Sequence, residues 1–279
     1  RRTDRSAAFF LLAAQGALKS GAGLVTVATP RCCAAIVAMQ APEYMTEALE
    51  ETVDGTVDFA AADYALALRA DAMAVGPGLG RGQGVATFVR ELLENSEIPL
   101  VFDADALNAF ADDPASLVGR DGRDVIITPH PGEMARLVGC AVDDVQADRL
   151  GIARDFASAH KVYVVLKGYR TLIATPDGKI FVNPTGSPGM ATGGTGDVLA
   201  GMLAGWLAQL LDAEAACRLA VYLHGAAGEL ADVENAVTPD HAEAELIFDA
   251  TFNKTAVYSF SAPLCAGAQE AWPNKPVRI

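Results

Sequence analysis

The 279-residue chain is short of three things, and each shortage excludes a class of function. Positive charge is scarce: Lys and Arg number 21 against 35 Asp and Glu, for a formal net charge of −14. A field of that sign repels phosphodiester backbones and anionic lipid surfaces, which argues against nucleic acid and membranes as partners. Small phosphorylated ligands stay open, because N–H groups at helix N-termini bind anions without net basic charge. Cysteine is scarce too. Cys32, Cys33, Cys140, Cys217 and Cys265 form an odd set without C-x-x-C spacing, which fits neither a disulfide framework nor a zinc site. They read as free thiols of a reducing compartment, so the expected location is cytoplasmic. Long hydrophobic runs are missing as well: the longest, Val198–Ala208, is too short to span a bilayer. Arg1, Arg2 and Arg5 ahead of Ala7–Ala14 imitate a secretory signal. The run continues through Gln15, Leu18 and Lys19 to Gly21, however, and reads as one amphipathic helix ending at a stop residue.

What is present is apolar. At 51% hydrophobic and 20% charged residues, the chain can bury a large α/β core and is no disordered segment. Short Val/Ile/Leu-rich runs at Leu24–Ala28, Ala72–Gly76, Pro99–Asp103, Asp124–Thr128 and Val162–Lys167 predict buried strands. Helices are expected over Ala7–Ser20, Val85–Asn95, Gly132–Val138, Asp143–His160, Thr195–Leu210 and Asp212–Leu230. Such alternation predicts a mostly parallel sheet covered by helices on both faces. Asp177–Gly178 marks a hairpin between Leu172–Ala174 and Lys179–Val182. One domain over residues 1–250 is expected, followed by an irregular tail over 251–279 that carries Pro263, Pro273 and Pro276.

Two glycine clusters punctuate this pattern. Gly76-Pro77-Gly78-Leu79-Gly80-Arg81-Gly82 follows a strand but contains no G-x-G-x-x-G window, which disfavours a dinucleotide-binding turn. At the carboxyl end of a parallel strand it reads as a backbone platform for a bulky ligand. Gly189-Met190-Ala191-Thr192-Gly193-Gly194-Thr195-Gly196-Asp197 is not a P-loop. Its glycines stand just before a long apolar helix, where successive N–H groups form an anion-binding nest at the positive end of the helix dipole. Asp197 in that first turn is either a capping carboxylate or a general base beside a bound phosphate, and three glycines exceed what capping requires. Between the clusters, two strand ends carry Asp103-Ala104-Asp105-Ala106-Leu107-Asn108 and Thr128-Pro129-His130-Pro131-Gly132-Glu133. Carboxylates placed there hold Mg²⁺ or cap the next helix. His130, held between two prolines, is the one histidine out of keeping with a core role; His160, His224 and His241 read as structural.

These stretches, with Gly21-Ala22-Gly23-Leu24-Val25, Leu166-Lys167-Gly168 and His224-Gly225-Ala226-Ala227, resemble the ADP/ATP-dependent NAD(P)H-hydrate dehydratases of the ribokinase-like superfamily. The matches occur in family order over about residues 12–230. D-A-D-A-L-N together with P-H-P-G-E is the specific part; G-G-x-G-D alone would suggest only the superfamily. The resemblance implies a three-layer ribokinase-like α/β sandwich with a mostly parallel central sheet. It implies repair of the S-epimer of hydrated NADH or NADPH at the expense of ADP or ATP, through a phosphorylated intermediate. Asp197 would be the catalytic base. Gly78, Gly80, His130 and Asp197 would contact the hydrate. Lys167, Gly168, Tyr169, Arg170, Thr171, Gly193, Gly194, Thr195 and Gly196 would line the nucleotide, and Glu133 and Asp103 would lie near Mg²⁺. A homotetramer in the cytoplasm and an NAD(P)H-hydrate epimerase as functional partner are also implied. The chain departs from the pattern in three places. Phe9 and Phe10 stand where alanines are expected, the strand usually preceding the first helix is not found before Arg1, and nothing matches after Ile247. An exposed sheet edge is therefore expected. A ribokinase-like kinase of a vitamin alcohol would share the glycine nest but give no reason for P-H-P-G-E; Phe9, Phe10 and the missing strand instead motivate a nucleotide-binding module that has lost turnover.

Overall fold

In the computed structural model, residues 2–210, 212–237 and 276–278 are described. A helix, α1 (Arg2–Lys19), leads into strand β1 (Leu24–Pro30), and after α2 (Arg31–Ala38) the chain returns as β2 (Met45–Leu49). The central part alternates α3 (Ala62–Ala67), β3 (Ala72–Val75), α4 (Gln83–Asn95), β4 (Leu100–Phe102), α5 (Asp105–Asn108), β5 (Val125–Ile127) and α6 (Pro131–Val138). Then come α7 (Val142–Ala147), α8 (Arg149–His160), β6 (Tyr163–Leu166) and the hairpin β7 (Leu172–Ala174) and β8 (Ile180–Val182). Two long helices, α9 (Thr195–Leu210) and α10 (Ala213–Val237), precede a last strand, β9 (Pro276–Arg278).

The strands form one sheet in the order β2-β1-β9-β3-β4-β5-β6-β7-β8. Every pairing from β2 to β6 is parallel, and the β6-β7-β8 meander is antiparallel. The inner strands β3, β4 and β5 are buried at every position, as a parallel sheet covered on both faces requires. Because they run the same way, their carboxyl ends deliver the Gly76 loop, Asp103 and Thr128–His130 to one edge of the sheet. Helix α1 lies along α9 at backbone contact, since a Cβ on Gly201 would fall inside the carbonyl of Ala13. Ala13, Ala14 and Ala17 fill that seam without exposure. The seam fixes the first turn of α9 over the sheet.

The predicted helix Asp143–His160 is two helices. Asp148 breaks it with φ −137° and ψ 62°, and its Oδ1 accepts the N–H of Gly151 at 2.9 Å, so an acid read as mid-helix is an N-cap. Helices α2, α3 and α5 and strand β2 carried no periodic signal long enough to be expected. The irregular tail expected over 251–279 gives way to strand structure at Pro276–Arg278; the rest of it, and His241, lie outside the described residues. Nor is the expected sheet edge exposed at β1, because β9 lies between β1 and β3 and pairs with both. A three-residue parallel strand with Pro at its start leaves no pattern that distinguishes it from a loop.

Candidate active site

The site grows from the ends of β4 and β6. Asp103, the residue after β4, is 1% exposed, and its Oδ1 takes the ammonium of Lys167 from the end of β6 at 2.7 Å. The Lys167 N–H donates to the carbonyl of Pro129 at 2.9 Å, which registers the end of β6 against the end of β5. After Asp103 the backbone bends sharply: Ala104 adopts φ 49° and ψ −114°, a region that resists a side chain. That bend starts α5 and turns Asp105 back towards the first glycine cluster, where its Oδ2 accepts the Gly80 N–H at 2.9 Å. Gly76, at φ 133°, packs so closely on the carbonyl of Asp103 that a Cβ there would overlap it. The platform carrying Gly78 and Gly80 is thus clasped to the acidic loop from both ends.

His130 is the N-cap of α6. Its Nδ1 accepts the N–H of Gly132 at 3.0 Å, and Glu133 Oε2 accepts the His130 N–H at 2.8 Å, completing a capping box. Burial and the charge of Lys167 lower the His130 pKa, and its Nε2 lies 3.5 Å from Glu133 Oε1, so both ring nitrogens face the first turn of α6. Glu133 is buried, and burial raises its pKa; its Oε2 also lies 3.9 Å from Lys167 Nζ.

The second glycine cluster meets this group from above. A Cβ on Gly196 would come 3.2 Å from Lys167 Nζ, so the ammonium lies against the first turn of α9. Asp197 is buried in that turn. Its pKa is raised to about 7, first by burial and then by the charge of Asp103, with Lys167 and its own N–H opposing. Burial works against the charge of Lys167, but Asp103, Glu133 and Asp197 outweigh it and hold its pKa above the usual lysine value. Thr195 ties the loop down through Oγ1, which donates to the carbonyls of Met190 at 2.9 Å or Thr192 at 3.0 Å. His224, read from the sequence as structural, bonds the Thr195 backbone, and burial lowers its pKa to about 4. It braces the nest as a neutral ring, a role that its mid-helix spacing did not signal.

Of the residues named from the sequence, Asp103, Glu133, Lys167, Gly196 and Asp197 converge. Gly193 and Gly194 precede them in the loop that leads into α9. Thr171 Oγ1 donates to the Gly168 carbonyl at 3.0 Å, closing the loop after Lys167. Tyr169 stays 81% exposed, while Arg170 donates to the Pro184 carbonyl at 2.9 Å and lies over the Tyr169 ring. Asp103 and Glu133 do not fit a direct magnesium site as placed. Both face Lys167, and among the described residues no group of three His, Cys, Asp or Glu side chains is positioned to hold a metal. Phe10 is buried beneath the Gly76 loop, where with Val75, Pro77 and Leu79 it lines an apolar cavity, and Phe9 is partly exposed. Among the described residues no helix is long and apolar enough to cross a membrane.

The chain that carries this arrangement is similar to known proteins over most of its length. A bifunctional NAD(P)H-hydrate repair enzyme of Moorella thermoacetica is 50% identical over 220 residues, covering 78% of this chain and 41% of that protein. The ADP-dependent (S)-NAD(P)H-hydrate dehydratase of Bacillus subtilis is 37% identical over 222 residues, covering 79% of this chain and 75% of its own length. The chain spans only about two fifths of several of the bifunctional relatives it matches. In three dimensions it matches the B. subtilis ADP/ATP-dependent NAD(P)H-hydrate dehydratase co-crystallised with ATP/Mg²⁺. The TM-score is 0.74 at 33% identity, over 92% of this chain and 85% of that one. The ribokinase-like sandwich is thereby shared. The model of the NAD(P)H-hydrate dehydratase family matches residues 7–249, which takes in every element that builds the site, and the chain belongs to that family.

Proposed function

We propose that the chain dehydrates the S-epimer of NADH or NADPH hydrate to the dihydronicotinamide, consuming ADP or ATP. The observation that carries this reading is Asp197: a buried carboxyl with its pKa raised to about 7, in the first turn of α9. In that state it is basic enough to take a proton from a hydroxyl, which a fully solvated aspartate is not. The hydroxyl oxygen of the hydrate attacks the terminal phosphoryl group, whose bond to the departing AMP or ADP breaks, as Asp197 Oδ accepts the hydroxyl proton. The N–H groups of Gly193–Gly196 receive the charge that develops on the phosphoryl oxygens. Hydroxide is a poor leaving group and phosphate a good one, so loss of phosphate together with a proton from the neighbouring ring carbon restores the conjugated ring.

Gly78 and Gly80 would offer backbone to the hydrate, with the ring of His130 beside them. Lys167 and the following Gly168–Thr171 loop would line the nucleotide. Magnesium would enter on the nucleotide phosphates rather than in a protein cage, the usual habit of that ion, and no step is assigned to it. A homotetramer, a cytoplasmic setting and an epimerase acting on the same hydrates complete the reading. The bifunctional names of several relatives support a second repair activity on longer chains.

The test is incubation with NADH hydrate and ADP or ATP while the near-ultraviolet absorbance of the dihydronicotinamide is followed. Recovery of absorbance that depends on nucleotide supports the reading. Phosphorylation of a vitamin alcohol without recovery would make the protein a kinase, and calorimetric ADP binding without turnover would make it a binding module.

A further inference from the structure

One guanidinium holds the back of the loop that follows β6. Arg149, the first residue of α8, donates from Nη1 to the carbonyl of Tyr169 at 2.5 Å. Its Nη2 donates to the carbonyl of Leu166 at 3.2 Å and reaches that of Lys167 at 3.5 Å. Its placement is not left to a flexible stem. Asp148 caps α8 immediately before it, and the Nη2 end lies against Gly168, where a Cβ would come within 3.2 Å. Burial lowers the Arg149 pKa, and Nε is buried without a partner. A guanidinium kept in such a place is expected to serve something besides local packing.

The geometry says what. In a trans peptide the C=O and the following N–H point in opposite directions. The carbonyl of Leu166, turned to the β7 side by its pairing with Leu172, meets Arg149 there, and the next N–H, that of Lys167, points the other way and bonds Pro129 at the end of β5. The same logic applies to the carbonyls of Lys167 and Tyr169. With those turned to Arg149, the N–H groups of Gly168 and Arg170 turn away from it. Neither donates to a backbone carbonyl among the described residues.

We propose that Arg149 is the positioning residue of the nucleotide loop. By taking the carbonyls of Leu166, Lys167 and Tyr169 it aims the N–H groups of the loop at an anionic nucleotide while remaining outside the site itself. This inference rests on the reading that the 167–171 loop receives adenine nucleotide. Arg is required rather than Lys, because one ammonium cannot span carbonyls three residues apart in the fixed fork that a guanidinium presents.

The experiment compares wild type with R149K and R149A under steady-state turnover of NADH hydrate. The expected result is a KM for ADP raised at least roughly tenfold in both variants, the loss that follows removal of charged-group hydrogen bonds. The KM for the hydrate and kcat at saturating ADP change by less than about threefold, and millimolar guanidinium restores ADP affinity to R149A. An unchanged KM for ADP in R149K overturns the proposal, as does an equal fall of kcat with every KM, which would mark a purely structural role. R149K keeps the charge and the helix, so it carries the test if R149A does not fold. Failure of the underlying reading looks different: wild type itself would then show no ADP binding by calorimetry.

Discussion

Replacing Asp197 with asparagine should stabilise the folded protein while stopping it from working, and the structure sets the size of the effect. Asp197 sits buried with its pKa moved from the ordinary 3.8 to about 7, chiefly by burial and by the charge of Asp103. A carboxyl raised in this way holds its proton more tightly folded than unfolded. The contribution to stability is therefore fully present below about pH 4 and is lost as pH rises from about 4 to about 7. At 1.36 kcal/mol for each tenfold change in proton affinity, the loss approaches about 4 kcal/mol above pH 7 as an upper limit. Asparagine has no such slope.

The informative quantity is the gap in melting temperature between D197N and wild type at two pH values. From pH 5 to pH 8 the gap should grow by up to about 3 kcal/mol, worked from the part of the titration that lies between 5 and about 7. At roughly 2–4 °C per kcal/mol for a chain of this size, that is a widening of about 5 °C or more. Differential scanning calorimetry in the absence of nucleotide reads it directly. Turnover of the hydrate by D197N should fall at least about 10²-fold while ADP still binds. A gap that stays constant between pH 5 and pH 8 would refute the claim that burial in this turn is what makes Asp197 a base.

The same titration should shape the rate: kcat/KM for the hydrate rises about tenfold per pH unit below 7 and levels above it. D103N moves that limb to lower pH, because the charge removed is one that raises Asp197; a limb that does not move would exclude this coupling. Gly76→Ala drives a Cβ into the carbonyl of Asp103 at a strained φ, so a loss of about 3 kcal/mol or more is expected in urea unfolding. An unchanged midpoint would mean that the clasp between the two loops is looser than described. For His130, H130A should lose a helix cap, about 1 kcal/mol, whereas H130N keeps the cap. A raised KM for the hydrate in both variants assigns the His130 ring to the substrate; a rise in H130A alone assigns His130 to capping.

The parallel core was legible because β3, β4 and β5 are short, wholly apolar and followed by glycine or a polar turn, a pattern with no competing reading. The Gly193–Asp197 cluster stood out in the sequence for a similar reason: capping explains one glycine there, not three. Other features depend on neighbours distant in the chain. Lys167 pairs with Asp103 across 64 positions, and that contact turns two prospective metal ligands into partners of an ammonium. The alternative left open from the sequence, that strand-end acids cap the next helix, holds for Glu133, which closes the capping box of α6. His224 and Arg149 act through backbone carbonyls, and a carbonyl leaves no mark in a sequence. The break at Asp148 could have been anticipated, since Asp followed three residues later by Gly is a plausible cap, but the apolar periodicity on either side outweighed it.

The shortage of positive charge noted at the outset reaches into the site. Asp103, Glu133 and Asp197 gather around Lys167, whose ammonium is already taken by Asp103. Such a place does not attract a polyanion by net charge, so on the proposed function phosphate recognition falls to fixed N–H groups: those of the glycines before α9 and, by the inference above, those of the loop behind which Arg149 lies. Fixed dipoles serve here where added lysines would not. Each further ammonium beside Asp197 would tighten nucleotide binding and also return that carboxyl towards its ordinary value, where it is a hundred-fold or more weaker as a base. Backbone dipoles are smaller local charges, so they can receive a phosphate while the surrounding acids keep Asp197 basic. Anion binding by glycine loops and base strength from crowded carboxylates are thus two halves of one electrostatic arrangement, and neither half would serve phosphoryl transfer to a hydroxyl without the other.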